Sequence, residues 1–368
     1  MARILARSPH IIEIDETGVT GSKIELFIYS QGSSVPSTPT YTLDKLIPAS
    51  NNLKMYYDIS PYLREFMSFN TRQSVIGSAV DSGVTLNTHG QVCNVDVKRY
   101  KQTAGNVYTL LDTTTHYVWD GYGYYEEGSN PTVSGIYFSL DEGTYYYKYS
   151  STSDPVNNVE DRAGILGVWD GGVGTDVKYT NLVTGASHTV TAPFTISNRL
   201  YDVPLVWYDY YSAGNKVEFI NSGITLQEYT IKPKDECRYT PVMIDFVNKK
   251  GYWQREFLFK ASKKKLNVSD SSYNLMQSSS FSYNTIEGQR GLFNINGQES
   301  INCNSGYVTE DYFDTIKQMM LSEKLLVDSK PAQVNTKSLE QQKNINGDKL
   351  ISYELEFIFS FDTINSVI

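Results

Sequence analysis

The segment "LISYELEFIFSFD", residues 350–362, decides the fold class because apolar and polar side chains alternate along it. Its alternate positions hold the apolar residues Ile351, Tyr353, Leu355, Phe357, Phe359 and Phe361, and the positions between them are mostly polar. A period of two is typical of a strand with one face on a core and the other in water. The segment therefore predicts a half-buried antiparallel strand.

Short runs of β-branched and aromatic residues recur from residue 11 onward, bounded by Gly, Ser and Pro. They predict a mainly β protein of about three antiparallel β-sandwich-like units, with one substantial α-helix in the C-terminal unit. We expect an N-terminal β domain over 1–132, a middle Tyr-rich β domain over 133–230 and a C-terminal β domain over 231–368.

Two segments depart from the strand pattern and predict helices. "YVTEDYFDTIKQMMLSEKLLV" (307–327) has apolar residues at helical spacing, and we expect a helix over 309–324 with Thr309 as its cap. "YYDISPYLREFM" (56–67) predicts a short helix, with Ser60 as the cap and Pro61 in the first turn.

Turn residues between strand-like runs predict hairpins over 135–149, 177–192 and 241–260. An Asn-Gly turn at 346–347 is expected to join the last pair of strands.

The composition excludes several classes of protein. The chain of 368 residues has 41 acidic and 32 basic side chains, a net charge of −9, which disfavours wrapping of nucleic acid as its main role. Its three cysteines, Cys93, Cys237 and Cys303, are far apart, which argues against a disulfide framework and suits a reducing cytoplasm. We expect no export signal and no membrane anchor, since no apolar run approaches ~18 residues. The 29 tyrosines favour strands and interfaces.

Common catalytic spacings are missing from the sequence. It has no His-Glu-x-x-His, no Gly-x-Ser-x-Gly and no phosphate-binding Gly-x-x-x-x-Gly-Lys-Ser/Thr. The histidines are His10, His89, His116 and His188, none close to another in sequence, and each is interpreted as a surface or core residue. We expect no enzymatic activity, and no catalytic, cofactor or metal site.

Acidic pairs leave a further hypothesis open. Asp120 with Glu126 or Glu127, and Asp170 with Asp176, could be glycosidase carboxylates or calcium ligands. Asp-Gly turns are the favoured explanation, because both residues tolerate left-handed backbone.

Aromatic residues in the middle of the chain are candidates for contacts with another subunit or with a glycan. In "YVWDGYGYYEEG" (117–128) we expect a strand ending at Trp119, a turn at Asp120–Gly121 and an aromatic strand ending at Gly128. The candidates for interface or glycan contacts are Trp119, Tyr122, Tyr124, Tyr125, Trp169 and Trp207. Sheet core, a subunit contact and sugar stacking all remain open for these rings.

One basic run opposes the acidic balance of the chain. Its members are Lys249, Lys250, Arg255, Lys260, Lys263, Lys264 and Lys265, with Glu256 the only acid among them. The run could contact DNA or an acidic subunit, or protect a sheet edge from unwanted pairing.

Four parts of the sequence together resemble virion proteins of crAss-like tailed bacteriophages and related phages of Bacteroidetes hosts. They are "YTLDKL" with "YYDISPYLREFM" near the start, "CRYTPVMIDFVNKKGYWQ" (237–254), "GYVTEDYFDTIKQMMLSEKLLV" (306–327) and "NGDKLISYELEFIFSFDTIN" (346–365). The resemblance covers both ends of the chain and leaves 130–230 largely unmatched.

This resemblance implies a structural, non-enzymatic component of the phage neck or tail. Such a protein forms a homo-oligomeric ring, of sixfold or twelvefold symmetry, between portal and tail hub. It is built in the host cytoplasm, its partners are other tail or neck proteins, and DNA is at most passing cargo. A receptor- or glycan-binding tail module is the alternative hypothesis, and a capsule depolymerase is a weaker one.

Overall fold

The computed structural model describes residues 3–47, 54–68, 83–87, 90–103, 107–133, 135–170, 174–275, 286, 288–341 and 351–365. Strands dominate these residues, so the prediction of a mainly β protein with sandwich-like units is confirmed. His89 and the expected Asn-Gly turn at 346–347 lie outside the described residues.

The chain forms two compact units. The first comprises Met1–Asp235 and Val247–Glu256, and the second comprises Glu236–Phe246 and Phe257–Ile368. The expected N-terminal and middle domains both fall within the first unit, and the division into three domains stays a prediction.

The strands up to residue 234 all belong to the first unit. They are β1 Arg3–Leu5, β2 Ile11–Asp15, β3 Gly21–Ser30, β4 Tyr41–Leu46, β5 Lys54–Asp58, β6 Thr85–Leu86, β7 Val92–Thr103, β8 Val107–Trp119, β9 Thr132–Val133, β10 Tyr137–Phe138, β11 Gly143–Lys148, β12 Ile165–Asp170, β13 Asp176–Asn181, β14 Ser187–Val190, β15 Arg199–Pro204, β16 Asn215–Asn221 and β17 Ile224–Lys234.

These strands form four sheets within the described residues. A six-stranded sheet has the order β4-β3-β7-β8-β1-β9, a four-stranded sheet the order β10-β12-β15-β6 and a five-stranded sheet the order β11-β17-β16-β13-β14, while β2 pairs with β5. Most pairs are antiparallel, but β1 runs parallel to β8, and β11 runs parallel to β17. The core of the six-stranded sheet follows the alternation of its strands, for Ile24, Leu26 and Ile28 of β3 are buried with Val95 and Val97 of β7.

The second unit is built on one seven-stranded sheet of order β19-β18-β22-β23-β24-β21-β20. Its strands are β18 Val242–Val247, β19 Trp253–Leu258, β20 Lys263–Asn274, β21 Arg290–Asn304, β22 Leu325–Val327, β23 Lys330–Val334 and β24 Glu354–Asp362. The tip of the β18–β19 hairpin, residues 247–256, belongs to the first unit. On β24, Leu355, Phe357 and Phe359 are buried as the alternation predicts, but Phe361 is exposed.

Helix α1, Ser60–Phe66, confirms the short helix predicted around Pro61. Its expected cap is wrong: Ser60 lies inside the helix, and its hydroxyl donates to the Ser8 carbonyl oxygen at 2.6 Å. The Asp58 carboxylate accepts the hydrogen bond of the first helical amide instead. Its Oδ1 accepts from the Ser60 amide at 3.1 Å and also from the His10 amide at 3.2 Å.

Helix α2, Tyr312–Met320, is shorter than the predicted helix over 309–324. The cap predicted at Thr309 is wrong, because Asp311 is the residue at the N-cap position. The Thr309 carbonyl oxygen accepts from the Tyr312 amide (3.2 Å) in a tight turn before the helix. Beyond the helix, residues 325–327 form β22, which pairs with β18. Ile316 and Met319 are buried in the core of this unit, so apolar residues at helical spacing do face the core.

The hairpins predicted over 177–192 and 241–260 are confirmed, as β13–β14 and β18–β19. The hairpin predicted over 135–149 is wrong, because β10 pairs with β12 and β11 pairs with β17 in a different sheet. The predicted aromatic strand ending at Gly128 is also wrong: β8 ends at Trp119, and a single 3₁₀ turn, Tyr125–Glu127, follows.

His10 and His116, distant in sequence, lie together in the first unit with ring centroids 5.7 Å apart. Burial, assisted by the neighbouring His116, lowers the pKa of His10 to about 4, against a weaker opposing effect of Asp58. The folded chain therefore binds this proton less readily than the unfolded chain does, and His10 is neutral at physiological pH.

Replacing a buried ring of β24 should destabilise the second unit. Phe357 is 0% exposed and Phe361 is 42% exposed on the same strand. We expect Phe357→Ala to lower the free energy of unfolding by about 3–5 kcal/mol and Phe361→Ala to lower it by less than about 1 kcal/mol. Urea denaturation of both variants measures this, and equal losses would contradict the placement of the core.

Acid should destabilise the first unit through His10. The pKa of His10 is lower in the folded chain than in the unfolded chain. The free energy of unfolding is therefore unaffected by His10 above about pH 6.5, and it falls by roughly 2–3 kcal/mol as the pH drops toward 4. Denaturation of wild type and His10→Asn at pH 7 and pH 4.5 measures the difference. The variant should lose less stability between the two pH values, and an identical loss would refute the assignment.

Candidate assembly surface

Strands β20 and β21 continue past the seven-stranded sheet as a two-stranded arm. β24 pairs with β21 only between Gln298 and Asn304, whereas β20 accompanies β21 as far as Arg290. The chain that follows β24 last contacts β21 at Asn296. The Asn296 side chain accepts from the Ile364 amide and donates to the Ile364 carbonyl oxygen, at 3.0 Å each. We call residues 266–275 and 288–297 the β arm. Its unsupported strand, 269–274, spans about 20 Å at ~3.3 Å per residue.

The β arm carries the apolar face of the sheet beyond the core. Lys264 pairs with Ile301, which is 1% exposed in the core, and Leu266 and Val268 follow on the same face of β20. Leu266 is 52% exposed, Val268 is 59% exposed, and Leu292, opposite Ser272 on this face, is 58% exposed. The apolar pattern thus continues where the chain's own core no longer covers it.

The other face of the β arm is aromatic. Tyr273 and Phe293 are both exposed, and their ring centroids lie 5.8 Å apart. The Tyr273 ring covers Gly291, where an added Cβ would come within 2.6 Å of it, and Leu266 covers Gly297 in the same way at 2.8 Å. These cross-strand contacts hold the two strands together.

A two-stranded ribbon with apolar side chains on both faces is marginally stable by itself in water. Exposed apolar surface of this kind marks a protein interaction surface, or else it promotes aggregation. The β arm is therefore the described feature of the second unit that most requires a partner.

Sequence reasoning missed the β arm, although a signal for it is present. "KLNVS" (265–269) and "LFNIN" (292–296) alternate or nearly alternate, and they flank the Ser-rich run 277–282. That pattern predicts two strands and a connection. It does not reveal whether a third strand covers them.

Trp119 and Trp169, two of the predicted contact residues, lie in the core of the first unit. They are 1% and 0% exposed, and their ring centroids are 5.8 Å apart. Tyr137 meets Trp119 edge-on at 4.9 Å, and Tyr117 lies 4.9 Å from Trp169. The prediction that these tryptophans contact a glycan or a subunit is wrong, because strands from distant parts of the chain bury them.

The segment after Trp119 is an internal docking loop. The Tyr122 amide donates to the Lys249 carbonyl oxygen at 2.9 Å, and a Cβ at Gly121 would lie 2.8 Å from the same oxygen. The glycine of this turn is thus required by close backbone approach. Tyr122 is buried, and burial raises the pKa of Tyr122 to about 12, so its phenol stays protonated.

The remaining aromatic candidates are accessible to different degrees. Tyr124 is half-buried under the Lys249 ammonium, which lies 4.1 Å from the ring centroid. Tyr125 is 100% exposed. Trp207 is half-buried, and the His188 ring stacks on it at 3.8 Å, so one face of the indole is already occupied. No coplanar platform for a sugar results from these positions.

The basic run does not form one free patch. Arg255 is buried and donates to the Arg162 carbonyl oxygen at 3.0 Å, so its prediction as a contact residue is wrong. Lys249 is paired with Glu127, Lys250 with Asp141 (2.6 Å) and Lys260 with Glu236 (3.0 Å).

The last three lysines of the run differ from the others. Lys263, Lys264 and Lys265 are exposed at the start of β20, where the described residues offer them no ion pair. They protect the base of an edge strand and leave 266–274 unprotected by lysine.

The acidic candidates have structural roles where the structure describes their contacts. Asp120 is buried, with its Oδ1 3.5 Å from the Arg64 Nε. Glu127 pairs with Lys249, and Asp176 accepts a hydrogen bond from the Ala192 amide at 2.8 Å. Among the described residues, no group of three or more His, Cys, Asp and Glu side chains is placed to hold a metal ion.

No protein-family model matches the chain, and no curated protein matches it. Within the described part of the chain, no helix combines the length and the apolar character needed to cross a membrane. Fold and surface together define a mainly β protein with an unsupported, apolar β arm.

Truncating a core tryptophan should affect stability rather than binding. We expect Trp169→Ala to cost about 3–5 kcal/mol of unfolding free energy, because its ring is fully buried. Tyr125→Ala, at a fully exposed ring, should change it by less than about 0.5 kcal/mol. Chemical denaturation followed by fluorescence measures both. A Trp169→Ala protein as stable as wild type would contradict the core assignment.

Proposed function

We propose that this chain is a structural, non-enzymatic subunit of a tailed bacteriophage that assembles into a closed ring of the neck or tail, between portal and tail hub. The β arm is the observation that carries the proposal, because its exposed apolar faces need a covering surface. The four stretches that resemble virion proteins of crAss-like phages supply the phage context. In this proposal the ring is assembled in the host cytoplasm, becomes part of the virion, contacts other tail proteins and has DNA only as passing cargo.

The free energy available from one arm contact favours a ring over an isolated pair of subunits. The arm exposes about half of each of Leu266, Val268, Tyr273, Leu275, Leu292, Phe293 and Ile295. Covering them is worth on the order of 5 kcal/mol, whereas bringing two proteins together costs about 4–15 kcal/mol. One arm contact is therefore weak, but closing a ring makes the last contact intramolecular and stabilises the whole.

The polar groups that suggested chemistry support a structural role. His10 is buried and neutral, and Asp120 is held beside Arg64 in the first unit. Glycan binding or depolymerase activity gains no support from the aromatic residues, since Trp119 and Trp169 are core and Trp207 is stacked on His188.

Removing the apolar character of the β arm should prevent assembly. The variant Leu266→Thr/Val268→Thr/Leu292→Thr keeps the β propensity of both strands while it removes the exposed apolar groups. The matched control, Val183→Thr/Ile196→Thr/Ile224→Thr, changes three exposed apolar residues of the first unit.

Mass photometry and electron microscopy measure the outcome. Wild type and control should form closed rings, and the arm variant should need at least about tenfold more protein to assemble. A wild-type chain that stays monomeric at all concentrations and is absent from virions would refute the proposal. An arm variant that assembles like wild type would refute the role of the arm.

A further inference from the structure

The six-stranded sheet of the first unit has a second unprotected edge, on β8. β1 pairs with β8 only from Tyr117 to Trp119, so among the described strands residues 107–115 pair with β7 alone. The outward backbone groups of this stretch face no described strand.

The side chains of this edge do not discourage pairing. The sequence "VYTLLDTTT" contains no lysine, arginine or proline, and its one charged side chain, Asp112, is paired with Arg99 of β7. Val107 and Leu110 are 57% and 48% exposed. At the opposite edge of the same sheet, β4 carries Asp44 and Lys45. The pairing of β8 with β7 shifts by one residue between Leu110 and Asp112.

We propose that the β8 edge, residues 107–115, is the receptor for the β arm of a second copy of this chain, with β20 adding to it as an extra strand. This inference rests on the proposed ring and names the two surfaces that close it. Strand addition satisfies both rows of unpaired backbone groups.

Charge identifies a second copy as the occupant. Strand β20, Lys263–Asn274, carries three basic side chains, Lys263, Lys264 and Lys265, and one acidic side chain, Asp270. Since the whole chain has 32 basic and 41 acidic side chains, this segment has a net charge of +2 and the remainder one of −11. The basic strand β20 is therefore attracted to an acidic body, and a second copy of this chain supplies one.

The two edges are also alike in length and different in kind. The free stretch of β8, 107–115, and the lysine-free stretch of β20, 266–274, each have nine residues. The surfaces are different from each other, which makes the contact heterologous, and a heterologous contact closes into a ring when its rotation permits.

A lysine on the β8 edge should block assembly. Leu110→Lys removes an exposed apolar residue and puts a positive charge where the basic β20 would add. Leu226→Lys is the matched control, because Leu226 is an exposed leucine beside an irregularity of β17 in another sheet. We expect Leu110→Lys to raise the concentration needed for ring formation at least about tenfold and Leu226→Lys to leave it unchanged.

Cross-linking tests the pairing directly. In a Cys237→Ser background, which removes the exposed native thiol, one chain carries Thr113→Cys and another carries Ser271→Cys. A short bismaleimide should join the two chains only when they are mixed. A chain with both substitutions should give a series of cross-linked oligomers on a denaturing gel, and the largest should contain as many chains as the ring.

The outcomes separate this inference from the proposed function. Rings that persist in Leu110→Lys, or Ser271→Cys chains that cross-link only to one another, would overturn the β8 receptor while leaving ring assembly intact. A wild-type chain that never assembles would overturn both.

Discussion

Backbone hydrogen bonding at the margins of sheets is the constraint on which this structure depends. Every edge strand presents N–H and C=O groups that need partners. Several edge strands here are short, buried or charged, and these properties prevent pairing with other chains. β6, β9 and β10 are only two residues long, β19 is buried along its whole length, and β4 carries charges. β8 and β20 are long, exposed and carry few charges over much of their length, and we propose that they are the edges through which copies of the chain join.

Local sequence signals predicted the local parts of the fold and failed where pairing is distant. Alternation located β24, and turn residues located the β13–β14 and β18–β19 hairpins, because both strands of each hairpin lie within one short segment. The same reasoning joined β10 to β11, but β11 pairs in parallel with β17, where Gly143 faces Tyr229. Alternation tells which residues share a face, and it carries no information on which strand is the neighbour.

The candidate surface shows a similar division. The sequence identified the aromatic residues of the first unit, but composition could not distinguish Trp169 in the core from Tyr125 in solvent. That distinction depends on β10, β12 and β8 coming together, as the contacts of Trp119 with Tyr137 and Trp169 show. Alternation is enough to recognise the two strands of the β arm. It cannot show that their apolar side chains are exposed, because that depends on where β24 ends.

The hairpin tip 247–256 has a consequence for how the protein is made. Asn248 donates to the Ser139 carbonyl oxygen at 2.7 Å, and the buried Tyr252 hydroxyl donates to Asp202, so the first unit contains a piece encoded after Asp235. A ribosome must therefore synthesise the start of the second unit before the first can finish folding. Cutting the gene after Asp235 would therefore leave the first unit without residues 247–256.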